Sequence, residues 1–310
     1  MESFTARDGK KICVRFWEDG VSSPRGAVVV VHGMCEYIDR YDDFCRFLNS
    51  NGFYVIGMDN RGFGHTDEDA LGLAYDGMFE DTVDDIKQEV DIAKERWNVN
   101  KVLVVGHSYG SFLAQRFIER YSGSVSGAVL VGSALQGGIA AAFGRLVAKK
   151  KCKSNPKAVG RLFADLTFTK YDKKFGEGYS HWLNRDNTEV AKYVADKFCN
   201  FTCSVGFYKT MLYGIKSTIK DRSNVPSDFR LMLASGKSDG VGEYGKDVKR
   251  LHKHYLKKCG IDARLKLYDG ARHEILNEIN KGEVYEDIVD FLIDCLAPRA
   301  SAENRENGDV

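Results

Sequence analysis

Five residues, Gly106-His107-Ser108-Tyr109-Gly110, join a run of aliphatic residues, KVLVVG at 101–106, to an amphipathic segment that continues through Phe117. A serine between two glycines at such a junction has the pattern of a nucleophile elbow. The glycines let strand and helix approach closely, and the strained serine backbone lifts Oγ clear of the sheet. The helix N-terminus then lies beneath any negative charge that develops there. A serine that merely capped a helix would need neither glycine. The pentapeptide alone is common, and its strand–turn–helix setting is what gives it meaning.

A hydroxyl is a weak nucleophile, so Ser108 needs a base and the base needs an orienting carboxylate. After an elbow these follow in the order carboxylate, then histidine, each just past a strand end. FRLMLAS (229–235) is followed by GKSDG, which supplies Asp239, and ARLKLYD (263–269) by GARHEIL, which supplies His273. Asp269 is the rival orienter, although its neighbour Gly270 favours a turn role. His252 and His254 lie in a lysine-rich helical stretch, His181 in the middle of the chain, His65 in an early loop, and His107 is expected to point away from Ser108. An oxyanion also needs backbone donors. The N–H groups of Tyr109 and of Met34, in HGMCEY (32–37), are the candidates. GVGEYG (240–245) mimics a dinucleotide fingerprint but comes too late in the chain for one. No elbow holds Cys35 as an alternative nucleophile.

Short apolar strands alternating with amphipathic segments predict a mostly parallel central sheet with helices on both faces. Strands are expected at 10–18, 26–33, 52–59, 101–106, 127–133, 229–235 and 263–269, with helices around 41–49 and 284–296. The interval 134–227 breaks the alternation. It has helical periodicity and many aromatics, among them Phe143, Phe168, Tyr179, Phe207 and Tyr208, and reads as a helical cap inserted in the core. The expected organisation is a core at 1–134 and 228–297, a cap at 135–227, and a polar, disordered tail at 298–310. The alternative is a second independent core. Phe207 and Tyr208 are the candidate substrate-binding aromatics.

Composition narrows the function classes. Among 310 residues, 45 Lys+Arg nearly cancel 44 Asp+Glu, so no overall field favours nucleic acid or anionic lipid. The opening MESFTARDGKKICV lacks the apolar stretch of a signal peptide, and no run approaches the about 18 apolar residues of a membrane helix. Eight scattered cysteines suit reduced thiols and a cytoplasmic location. Cys199 and Cys203 have helical spacing, but nothing completes a metal set, and the sequon at Asn200 would go unread in a cytosol. Neither a metal nor an organic cofactor is implied.

The chain resembles the monoacylglycerol lipase / lysophospholipase branch of the α/β-hydrolase superfamily. The resemblance is carried by HGMCEY, DNRGFGHTD (59–67), GHSYGS (106–111), SGKSDGVGEYG (235–245), GARHEILNE (270–278) and the cap stretch 181–208. It implies the α/β-hydrolase fold and a serine esterase acting through an acyl-enzyme on Ser108. The implied substrates are small hydrophobic esters, monoacylglycerol- or lysophospholipid-like, with at most transient membrane-surface contact through the cap. Two loops depart from the family pattern. Cys35 and Tyr37 replace the later glycine and histidine of His-Gly-x-Gly-Glu-His, and Asp-x-Arg-Gly-His-Gly-x-Ser becomes Asp59-Asn60-Arg61-Gly62-Phe63-Gly64-His65-Thr66. Both spare the triad and leave substrate preference open. Glu36 and Arg61 are expected to brace these loops as a charge pair. Two other readings remain: an amidase of the proline iminopeptidase type, with Glu177, Asp186 or Glu189 receiving a substrate amine, and a non-catalytic binding protein on the same fold.

Overall fold

GAVVVV offers no polar side chain to solvent, and all six residues of the strand it forms, Gly26–Val31, are buried. Strands buried on both faces belong in a parallel sheet covered by helices, and that is the architecture of the computed structural model, which describes residues 1–137, 139–166, 170–175 and 180–297. In chain order the elements are β1 (Glu2–Thr5), β2 (Lys11–Trp17), β3 (Gly26–Val31), α1 (Asp42–Ser50), β4 (Phe53–Met58), α2 (Met78–Trp97), β5 (Val102–His107), α3 (Tyr109–Tyr121) and β6 (Gly127–Val131). Then come α4 (Ile139–Ser154), α5 (Arg161–Ala164), α6 (Lys170–Phe175), α7 (Asn187–Ala195), α8 (Val205–Asp221), β7 (Leu231–Gly236), α9 (Lys246–Cys259), β8 (Arg264–Tyr268) and α10 (Lys281–Leu296).

The strands form one sheet in the order β1-β2-β4-β3-β5-β6-β7-β8. β2 pairs antiparallel with β1 and β4, and every pairing from β4 to β8 is parallel. Alternate residues feed alternate faces. Val29 and Val31 pack with Ile86 of α2, Leu113 of α3 and Leu251 of α9. Val28 and Val30 pack with Leu48 of α1 and Ile288 of α10.

All seven expected strands are present. β1 was not foreseen, because ESFT is mostly exposed and shows no apolar run; its pairing to β2 makes it an edge hairpin. Between β6 and β7 the described residues form helices, with one isolated bridge, Val159 to Ser204. Val205, Phe207 and Ile215 of α8 join the same apolar cluster as the sheet. Phe168, Glu177, Tyr179 and the tail 298–310 lie outside the described residues. Among the described residues no helix is long and apolar enough to cross a membrane.

The junction of β5 and α3 leaves no room for side chains at its glycines. A Cβ on Gly110 would stand 2.2 Å from the carbonyl oxygen of Val31, and one on Gly106 would stand 2.5 Å from that of Gly110. Gly110→Ala is therefore expected to cost about 1–3 kcal/mol of stability, read as a lower thermal midpoint. Gly123→Ala, where nothing lies within 4 Å of the added carbon, should leave the midpoint unchanged.

Candidate active site

Three loops at the carboxyl ends of the parallel strands bring the chemistry together. Ser108 stands between β5 and α3 at φ 52, ψ −117, a left-handed conformation foreign to most residues. Its Oγ lies 2.8 Å from Nε2 of His273, in the loop after β8. The other ring nitrogen, Nδ1, lies 3.0 Å from Oδ1 of Asp239, in the loop after β7, as an ion-pair contact rather than a straight hydrogen bond. Asp239 and His273 are buried, and Asp239 is held in turn by the amide of Val241 at 2.8 Å and the hydroxyl of Ser235 at 3.2 Å. The structure thus brings together all three residues expected from the ordering argument. The rival Asp269 is exposed and pairs with Lys237 at 2.6 Å.

Other histidines have different partners. His107 turns from Ser108 toward the Tyr41 hydroxyl, 2.7 Å from Nδ1, His65 pairs with Asp59, and His252 meets the carbonyl of Ala263. Burial of the His273 ring works against its charged form. The charge of Asp239 and its contact, with Glu274 and Glu36 behind it, outweigh that and hold the pKa above the usual value. The amide of Gly33 donates to Glu36 Oε1 at 2.6 Å. That bond fixes the start of the loop whose next residue is Met34. Tyr109 opens α3 immediately after Ser108.

A cavity of about 360 Å³ lies above Ser108 and His273, walled by Met34, Cys35, Trp182, Leu183, Tyr193 and Tyr208 among others. Trp182 leans over the His273 ring, with centroids 5.1 Å apart. Of the two aromatics singled out from sequence, Tyr208 lines this space and stacks on Phe163. Phe207 does not line it. Successive helical residues point about 100° apart, so Phe207 turns into the core against Phe63 and Tyr109, at 5.2 and 5.1 Å.

The expected Glu36–Arg61 pair does not form. Glu36 binds Arg40 at 2.6 Å, and Arg40 also binds Glu274, beside His273. Arg61 reaches the opposite way, to Asp85 on α2 and to Asp8. Charge complementarity was legible in the sequence, but the direction of each long side chain was not. Two of the proposed amine-binding carboxylates also have local roles: Asp186 caps α7 through Thr188, and Glu189 pairs with Lys192. The carboxylates that do line the cavity are Asp165 and Asp172, along with Glu36 and Glu274. No motif marked Asp165 or Asp172, and Trp182 was one aromatic among many, because only the folded path of the segment between β6 and β7 brings them over Ser108. Cys35 donates to the carbonyl of Phe201 and lies 3.5 Å from the sulfur of Cys203, tying the loop after β3 to the segment before α8.

A serine–histidine–aspartate arrangement on this sheet defines a serine hydrolase of the α/β-hydrolase superfamily. More narrowly, the chain belongs to the serine aminopeptidase, S33 family, whose pattern matches residues 22–280. Over 298 residues, 95% of this chain and 97% of the other, it is 26% identical to a monoacylglycerol lipase of Mycolicibacterium smegmatis. Among solved structures, a highly thermostable carboxyl esterase from Bacillus coagulans, in complex with glycerol, is similar at a TM-score of 0.87 and 24% identity, over 96% of this chain and 98% of that one. A soluble variant of monoglyceride lipase from Saccharomyces cerevisiae gives 0.73 at 18% identity, over 96% of each chain. At these identities the two structures establish the shared fold.

The base must be neutral to accept a proton. Activity measured as kcat/KM should therefore rise with pH through a pKa above the ordinary histidine value of 6.5. Asp239→Asn removes the charge that raises it. The rising limb should move to lower pH and the plateau fall by about 10⁴, whereas Asp269→Asn should change neither.

Proposed function

We propose that this chain is a carboxylic ester hydrolase that works through an acyl-enzyme on Ser108. Its substrates are esters with a hydrophobic acyl group, of the monoacylglycerol or lysophospholipid kind. The observation that carries this reading is the 2.8 Å contact of Ser108 with a buried His273 backed by Asp239, beneath a cavity with largely apolar walls. Similarity to a monoacylglycerol lipase along nearly the whole chain supports it.

In this mechanism Ser108 Oγ attacks the ester carbonyl while its proton passes to His273 Nε2. Asp239 stabilises the imidazolium and keeps Nδ1 protonated. The carbonyl oxygen becomes an oxyanion facing the amides of Met34 and Tyr109, at the positive end of α3. Its collapse expels the alcohol, which takes the proton from Nε2 and leaves the acyl group on Ser108. Water, deprotonated by the same nitrogen, then releases the acid and restores the hydroxyl.

A transient membrane contact through the cap accords with α4, where exposed Phe143 and Leu146 adjoin exposed Lys149, Lys150, Lys151 and Lys153. Apolar side chains beside a basic run suit an interfacial, non-spanning helix. A cytoplasmic location accords with eight free cysteines. One observation favours a second reading, amide hydrolysis: Asp165 and Asp172 line the cavity, where a substrate amine could meet a carboxylate. Paired rates on aminoacyl-arylamides and aryl esters separate the two.

Each methylene buried in the transition state contributes about 0.8 kcal/mol, roughly fourfold in rate. On p-nitrophenyl esters, kcat/KM should climb with acyl length by up to that factor and fall once the cavity is full. Tyr208→Ala should move the optimum to longer chains. Phe207→Ala should instead lower stability by about 3–5 kcal/mol and leave the optimum in place. A flat profile from acetate to decanoate contradicts the hydrophobic-acyl part of the proposal.

A further inference from the structure

Four polar side chains lie fully inside the core behind the elbow, and no step of the mechanism uses them: Ser111, Ser133, Gln115 and Arg222. Buried polar groups cost free energy unless paired, and these are joined to one another in series, with Nε and Nη1 of Arg222 left without a hydrogen bond among the described residues. Ser111 Oγ donates to the carbonyl of Ser108 at 2.6 Å and lies 2.8 Å from Ser133 Oγ. A hydroxyl has one proton to give, so Ser133 must donate to Ser111. Gln115 Nε2 donates to Ser133 Oγ at 2.9 Å, and Arg222 Nη2 donates to Gln115 Oε1 at 2.6 Å. Every proton in the chain points one way, from a buried guanidinium to the carbonyl of the nucleophile, and bonds aligned like this strengthen one another.

The other end of Ser108 is tied to the same place. Its amide donates to the carbonyl of Val131 at 2.9 Å, two residues before Ser133. Between them Gly132 sits at φ 56, where a Cβ would lie 3.1 Å from Cε1 of His273. Residues 131–133 therefore hold the amide of Ser108, the face of the His273 ring and, through Ser133 and Ser111, the carbonyl of Ser108. Arg222 anchors the far end of the series. It directly follows α8 and opens the short turn Arg222–Asn224 that leads toward β7, the strand whose loop carries Asp239.

We propose that Ser133, Gln115 and Arg222 are positioning residues, a one-way hydrogen-bond series that holds the strained Ser108 backbone in register with His273. The proposal rests on the serine-hydrolase reading but not on the identity of the ester. A network that only stabilised the core would change the folded fraction without changing the chemistry of each folded molecule.

The test uses Ser133→Ala, Gln115→Met, which is close to isosteric, and their double variant. Two quantities are read: the second-order rate at which a fluorophosphonate labels Ser108, and kcat and KM for an aryl ester with sites counted by that label. A misplacement of 1 Å costs about 10² in rate. A loosened carbonyl should then cost about tenfold in labelling rate and in kcat per labelled site, with KM unchanged. Because both residues act through one series, the double variant should be no slower than the worse single one. Unchanged rates per site, even with a lowered thermal midpoint, overturn the proposal, as do losses that multiply in the double variant. Should Gln115→Met not fold, Ser133→Ala, which removes one hydroxyl, decides by the same per-site rates. An unsubstituted chain that labels but spares esters overturns the ester reading alone. One that does not label overturns both.

Discussion

The fold is organised around one close approach, that of α3 to the sheet at the end of β5. No side chain fits at Gly110, where the backbone meets the carbonyl of Val31, and the turn between strand and helix leaves Ser108 at φ 52. Conformations of this kind cost about 1–3 kcal/mol and persist only when the surroundings over-determine them. Here the surroundings do so from both sides, through the carbonyl of Val131 and the hydroxyl of Ser111. In return the helix N-terminus and the serine oxygen are both presented at the floor of one cavity. The positions of Asp239 and His273 matter only relative to that point, and the parallel register of β5, β6, β7 and β8 sets them.

Much of this was legible in the sequence because the signals are local. An elbow is five consecutive residues, and a buried parallel strand is a short apolar run. The carboxylate and the base follow strands that announce themselves. The illegible parts depend on where long side chains point. Glu36 and Arg61 are complementary in charge, yet one turns to Arg40 and the other to Asp85. Phe207 and Tyr208 are neighbours of one type, yet the turn of α8 sends one into the core and the other to the cavity. The series from Arg222 to Ser111 joins residues up to 107 positions apart, between Gln115 and Arg222. A serine, a glutamine and an arginine scattered over that distance carry no pattern.

The departures from the family pattern acquire a physical meaning in the loop after β3. Cys35 occupies the place of a glycine and keeps a glycine-like backbone at φ 58. The strain of a side chain there is offset by contacts that glycine lacks, a thiol bond to the carbonyl of Phe201 and the neighbouring sulfur of Cys203. Tyr37, at the histidine position, donates to Asp196 and packs on Phe198. Both substitutions fasten the loop that carries Met34 to the segment between α7 and α8. Loop and cap therefore form one wall, and changes at either bear on what the cavity admits.

If Ser108 carries the acyl group as proposed, trapping the acylated enzyme reveals it without inference from rates. A p-nitrophenyl ester is mixed with the enzyme, quenched in acid within the first turnover and analysed by peptide mass spectrometry. The expected result is an acyl adduct on Ser108, appearing in step with a burst of p-nitrophenol and absent from Ser108→Ala. An adduct on Cys35, which also lines the cavity, or steady turnover by Ser108→Ala with no adduct, would contradict it.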